Sequence, residues 1–374
     1  MKPHLTRRMA ALQSEMVGAG LDAIIFADRE NLIYYAGTTE IECMAAVIPS
    51  TGDPILCCLW LDAAYIRECS GAGGENLLAY HFPSSNIGQT IVSAMQMLGL
   101  KAPRVGFHKY FVEFGIFDAI RQAFPDMEFR AAMDLTYRVR AVKDETELAY
   151  LQKASDFLSV GMEAAVAAVR PGITEVAVLA EADYAMRKAG SEGSTFRMQV
   201  LTHSKQMQAH AYASDVVIEN DQPVVIHLGS SYRGYAAKMC RTVALGSISD
   251  ETRRIYELLK VAQQKAVAAL VPGVCVADIY DLVHACMAEH GYGDMILDQI
   301  GHGVGIRQSE FFPVVGKGLT HVIAKNMVVD LLLPTVFKPG VGGPRITDMI
   351  RVAETGGIFM TTFSRDLIDR EHRV

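Results

Sequence analysis

The residues most able to do chemistry sit in one stretch. Val224-Val225-Ile226-His227-Leu228-Gly229 is followed by Gly234-Tyr235-Ala236-Ala237-Lys238-Met239-Cys240-Arg241-Thr242. An apolar run carries His227, a Gly-bearing turn between Gly229 and Gly234 reverses the chain, and a second run continues to Thr242, which is the punctuation of a hairpin. Side chains alternate across a strand, so His227 and Lys238 can face one cavity, provided the register does not slip by one residue. An imidazole and an ammonium there can move a proton or stabilise a developing negative charge. Cys240 is two residues beyond Lys238. A neighbouring cation would make it a nucleophile, whereas the plainer reading is a small buried hydrophobe.

Other candidates lie outside the hairpin. His210 stands in Gln208-Ala209-His210-Ala211-Tyr212, and an imidazole suits acid–base work near neutral pH. His302 stands in Gly301-His302-Gly303-Val304-Gly305, where the glycines allow close backbone approach. Ser309 and Glu310 follow that turn, and Arg345 and Thr347 lie in Gly342-Gly343-Pro344-Arg345-Ile346-Thr347-Asp348.

Taken in order, these motifs resemble the metallopeptidase M24 clan with the pita-bread fold: methionine aminopeptidases, Xaa-Pro aminopeptidases, prolidases and creatinase. Its hairpin reads D-x-G-x-x-x-x-G-Y-x-x-D-x-T-R-T, its histidine ligand lies in G-H-G-[IV]-G, and its last motif is P-G…G-G-V-R-I-E-D. The resemblance puts the clan's two aspartate ligands at His227 and Lys238, its histidine at His302, and its glutamates at Leu333 and Thr347. One ligand of five is kept. Hard cations need oxygen ligands, and a catalytic zinc needs three protein ligands. An ammonium at 238 would repel a cation by several kcal/mol at an effective dielectric of about 20. No metal and no cofactor is therefore expected.

Two branches that the resemblance includes, creatinase and ectoine hydrolase, lack the metal. They imply a metal-independent hydrolase of a C–N bond, amidine or amide, in a small carboxylate-bearing molecule. The resemblance also implies catalytic roles for His210, His302, Lys238 and His227. Substrate contacts fall to Arg345, Ser309, Glu310 and Thr347, with Arg345 free to fork onto a carboxylate once its partner glutamate has become Thr347. An alternative has Lys238 turned outward or paired with Asp348. The rival functions are a metal-dependent Xaa-Pro aminopeptidase or prolidase, a lyase on the same fold, and a non-catalytic pseudopeptidase that binds a partner protein.

The elements that must position these residues divide in two. Short apolar runs at 22–27, 45–49, 54–59, 104–108 and 127–131 alternate with helical patterns, which argues for an α/β domain over 1–143. Asp144 and Glu147 have the form of a capping box opening a long helix to Val169. Over 144–374, helix, Pro-Gly stop and helix occur twice, at Pro171-Gly172 and Pro272-Gly273, 101 positions apart. That is the mark of two pseudo-symmetric α+β halves around one cavity. The fold expected is a creatinase-like N-terminal α/β domain and a pita-bread C-terminal domain, forming a homodimer. Trp60 is the sole tryptophan, with core packing as its plain reading.

Composition narrows the class. The 374 residues carry a net charge of −7 and 21% charged residues, against the basic face nucleic-acid binding needs. No run approaches the ~18 apolar residues of a membrane span. The start, Met1 to Arg8, lacks the apolar core of a signal peptide. Seven cysteines without ligand spacing suit free thiols in a cytoplasmic protein acting on a small molecule.

Overall fold

The computed structural model describes residues 2–38, 44–108, 114–332 and 336–370. The chain forms two compact units, Met1–Arg140 and Ala141–Val374. The first holds a six-stranded sheet in the order Leu77–Tyr80, Ile55–Leu59, Ala45–Pro49, Ala23–Phe26, Arg104–Phe107, Glu128–Ala131. Leu77–Tyr80 is a strand the sequence pattern did not single out; it pairs in parallel with Ile55–Leu59. One face of the sheet is buried by helix Ile87–Met97 through Ile91, Ala94 and Met95. Apolar residues three and four apart give that helix a single buried stripe. Trp60 is half-exposed and stacks on His81 at 5.4 Å, so it is not a core residue.

The second unit opens on the capping box. Asp144 accepts from the Glu147 amide at 2.9 Å, and Glu147 accepts from the Asp144 amide at 3.0 Å. Helix Glu145–Ala168 follows. The Pro-Gly repeat is a structural repeat. Gly172 and Gly273 both take positive φ, 83° and 96°, a conformation glycine adopts without steric penalty. Each donates its amide to a following segment, Gly172 to Ile218 O and Gly273 to Ile323 O, both at 2.9 Å. Each then feeds a second helix, Glu175–Lys188 or Val276–Ala288.

Two sheets carry the functional residues. One has the order Ile368–Arg370, Tyr235–Leu245, Gln222–Tyr232, Gln199–Leu201; the other Glu310–Gly316, Gln299–Gly303, Val328–Leu331, Asp348–Ala353, Gly356–Phe359. They meet where Cys240 and Thr347 exchange backbone hydrogen bonds at 3.0 and 3.1 Å. The hairpin is longer and tighter than its sequence suggests. Its turn is only Arg233 and Gly234, both at positive φ (52° and 79°), as a two-residue turn matching strand twist requires. Gly229 is inside the strand, and a Cβ there would lie 2.4 Å from both Phe196 Cε1 and Ser194 Oγ, so glycine admits the neighbouring loop.

Candidate active site

The second unit contains a cavity of about 740 Å³ whose lining includes His210, His227, Lys238, His302 and Ser309. The register explains the shared wall. His227 lies opposite Cys240 and Gly229 opposite Lys238, so His227 and Lys238 are diagonal neighbours on one face. Phe196 covers His227, with ring centroids 5.0 Å apart. His302 comes from the other sheet. Its flanking glycines let adjacent strands approach: a Cβ on Gly301 would lie 2.5 Å from Asp330 O, and one on Gly303 2.7 Å from Phe312 O. His210 is exposed on an irregular loop, with Tyr212 nearby under the Arg197 guanidinium at 4.3 Å.

Lys238 pairs with Asp330, and both side chains are almost fully buried. Its Nζ also donates to Ser309 Oγ at 2.9 Å. The Lys238 ammonium in the cavity wall, expected to repel a cation, is thus countered by a buried carboxylate. Asp348 is not the partner; it pairs with Arg241 at 2.6 Å. Asp330 was missed in reading the sequence. The available signal was one carboxylate inside the apolar run Val328-Val329-Asp330-Leu331-Leu332, because a charge buried in a strand requires a partner.

Burial, then Lys238 and Arg345, pushes the His227 imidazole down to about 3. It is a neutral hydrogen-bonding group over the physiological range. Burial also lowers His302, opposed by Asp330, whose Oδ1 accepts the His302 amide at 2.5 Å. Among the described residues, His227 Nε2 and His302 Nδ1 have no hydrogen-bond partner, and unsatisfied buried nitrogens in a cavity wall favour a polar ligand.

Three expected substrate contacts are otherwise engaged. Arg345 is buried, donating to Gln199 Oε1 at 3.2 Å, Gln206 O at 3.0 Å and Gln208 O at 3.1 Å, so its fork grips a loop and is not free for a ligand. Thr347 is buried with its hydroxyl on Leu332 O. Glu310 is buried, and its Oε1 accepts from the Arg307 amide at 3.4 Å. Cys240 is a buried thiol that desolvation pushes up to about 12, a packing residue rather than a nucleophile. Leu333 lies outside the described residues.

An α/β domain of creatinase type followed in the chain by a pita-bread domain is the creatinase–prolidase architecture. Residues 149–354 match Metallopeptidase family M24 and residues 8–142 the Creatinase/Prolidase N-terminal domain, and the chain belongs to this family. It is similar to the Xaa-Pro dipeptidase of Bacillus anthracis, at 25% identity and a TM-score of 0.89 over 98% of this chain and 100% of that one. It is 26% identical to the Xaa-Pro dipeptidase of Pyrococcus horikoshii, over 93% of this chain and 95% of the other. It is 31% identical to that of Pyrococcus furiosus, over 64% and 69%.

These likenesses overturn the expected metal-independent C–N hydrolase of the creatinase and ectoine hydrolase branch: relatives matched over nearly the whole chain include Xaa-Pro dipeptidases. The family description implies a divalent ion, and the donors described here do not fit one. An ammonium, Lys238, lines the cavity and is paired with the buried Asp330, Thr347 faces Leu332, and no three His, Cys, Asp or Glu side chains among the described residues are grouped to hold an ion. Among the described residues, too, no helix is long and apolar enough to cross a membrane.

Proposed function

We propose that this chain is a prolidase-like hydrolase that takes a short peptide of the Xaa-Pro dipeptide class into the His227–His302 cavity. The observation that carries the reading is the likeness to an Xaa-Pro dipeptidase over 98% of the chain. The cavity volume supports it, lying within the ~300–1,000 Å³ of small-molecule sites. In this reading Lys238 Nζ and Ser309 Oγ are donors to a peptide carbonyl oxygen, where charge develops on attack. The unsatisfied ring nitrogens of His227 and His302 hydrogen-bond the peptide, and His210 meets it at the cavity mouth. We extend the reading to a cytoplasmic homodimer, which light scattering on the purified chain tests.

The test of function is a panel of Xaa-Pro dipeptides with Xaa-Ala controls, assayed for released amino acid with and without added manganese, cobalt or zinc. Calorimetry runs in parallel for binding. Proline release supports the reading. Binding without release identifies a peptide-binding pseudopeptidase, and absence of both overturns the substrate class.

A further inference from the structure

We propose that Gln199 is the positioning residue for His210, held in its working orientation by Arg345. The inference rests on the reading that His210 meets the peptide. His210 lies in segment 203–214, whose only regular element is the short turn His203–Lys205. Its placement therefore depends on anchors from outside. Gln199 supplies them on both sides of the histidine, its Nε2 donating to Ala209 O at 3.2 Å and to Ala211 O at 2.6 Å. One amide thus holds the carbonyl of the peptide plane that enters His210 and the carbonyl one residue beyond it, which brackets the backbone that aims the His210 side chain.

The amide cannot turn over. Its Oε1 accepts from Arg345 Nη1 at 3.2 Å, and a guanidinium only donates while a carbonyl only accepts, so a flipped amide would face mismatches at every contact. Arg345 ties in the same loop directly through Gln206 O and Gln208 O. Gln199 also lies directly opposite His227 in the strand register and lines the cavity, so the loop is indexed to the strand that carries the buried imidazole. At the loop's far side the buried Glu175 carboxylate accepts from the Thr202 amide at 2.8 Å, Lys205 Nζ at 2.6 Å and the Ser214 amide at 3.1 Å. Glu175 therefore secures the ends of the loop, and Gln199 sets its centre.

The test is a double-mutant cycle in the full chain. Gln199→Glu keeps a partner for Arg345 but loses both donations to the loop; Gln199→Leu loses all three contacts. Each should lower kcat for an Xaa-Pro dipeptide ~10-fold or more with a smaller change in KM, because a misplaced group costs orientation more than binding. In a His210→Ala background Gln199→Glu should add less than a ~2-fold loss, since residues acting as a unit are non-additive. Fully additive losses would overturn the proposal. Hydrogen exchange supplies a readout independent of turnover: amides 206–212 should exchange ~10-fold faster in Gln199→Glu while the melting temperature holds within a few degrees. Unchanged exchange overturns the proposal as well. If the wild-type chain neither releases proline nor binds dipeptide, the substrate reading fails, and exchange alone decides whether Gln199 holds this loop.

Discussion

Two buried ion pairs hang from one strand, three residues apart, and they differ in how completely they are satisfied. Arg241 and Asp348 are saturated. Arg241 Nε donates to Ser364 O at 2.7 Å, its Nη groups reach Cys240 O, Thr347 O, Phe363 O and both Asp348 oxygens, and Asp348 also accepts from Gln263 at 3.1 Å and Thr361 at 2.6 Å. Among the described residues, Lys238 and Asp330 have one further side-chain partner, Ser309, and one backbone amide, that of His302. Beside them two imidazole nitrogens are unsatisfied. A buried charge network with every group paired stabilises the fold locally; one left incomplete at a cavity wall is poised for a ligand.

Breaking the saturated pair gives the largest effect. Asp348→Ala leaves Arg241 buried without its counter-charge and should remove about 3–5 kcal/mol of stability by chemical denaturation. Asp330→Ala should remove less, about 1–3 kcal/mol, because Lys238 keeps Ser309 and borders the cavity. Equal losses from the two substitutions would erase the distinction.

The His227 imidazole sharpens the contrast through pH. Its folded value, about 3, lies below its ordinary 6.5, so above about 6.5 both states are neutral and its contribution is fully present. As pH falls, the unfolded chain gains the proton first and stability is lost toward pH 3. Wild type should therefore lose about 1.4 kcal/mol per pH unit more than His227→Gln between roughly pH 6 and 4. Parallel stability curves would place His227 outside the buried wall. Smallest in stability is the paired replacement Lys238→Met with Asp330→Leu, expected within about 1 kcal/mol of wild type because hydrophobic pairs often substitute for buried ion pairs without loss. The same variant should bind dipeptide ~10-fold more weakly or worse in calorimetry, since the Lys238 donor facing the cavity is gone.

The hairpin, the Asp144 cap, the Pro-Gly repeat and the pairing of His227 with Lys238 on one face were legible because each rests on local periodicity or turn chemistry. What lay beyond reach was long-range pairing. Nothing near Lys238 in the chain indicates Asp330, 92 positions on, and nothing near Arg345 indicates the Gln206 and Gln208 carbonyls that occupy it. An unpaired cation is costly when buried, so both side chains found partners, and the free cations expected from their types alone became ion pair and loop anchor. The choice of enzyme branch failed for a related reason: the loss of ligand residues at single positions says less about ancestry than similarity over the whole chain does.

Proline release from Xaa-Pro dipeptides by the wild-type chain and by His210→Ala, with and without added divalent ions, tests the central claim most directly. The account predicts release by the wild type and a loss of ~10-fold or more in the variant. Equal rates for the two proteins, or no release and no binding with any dipeptide under either condition, would contradict it.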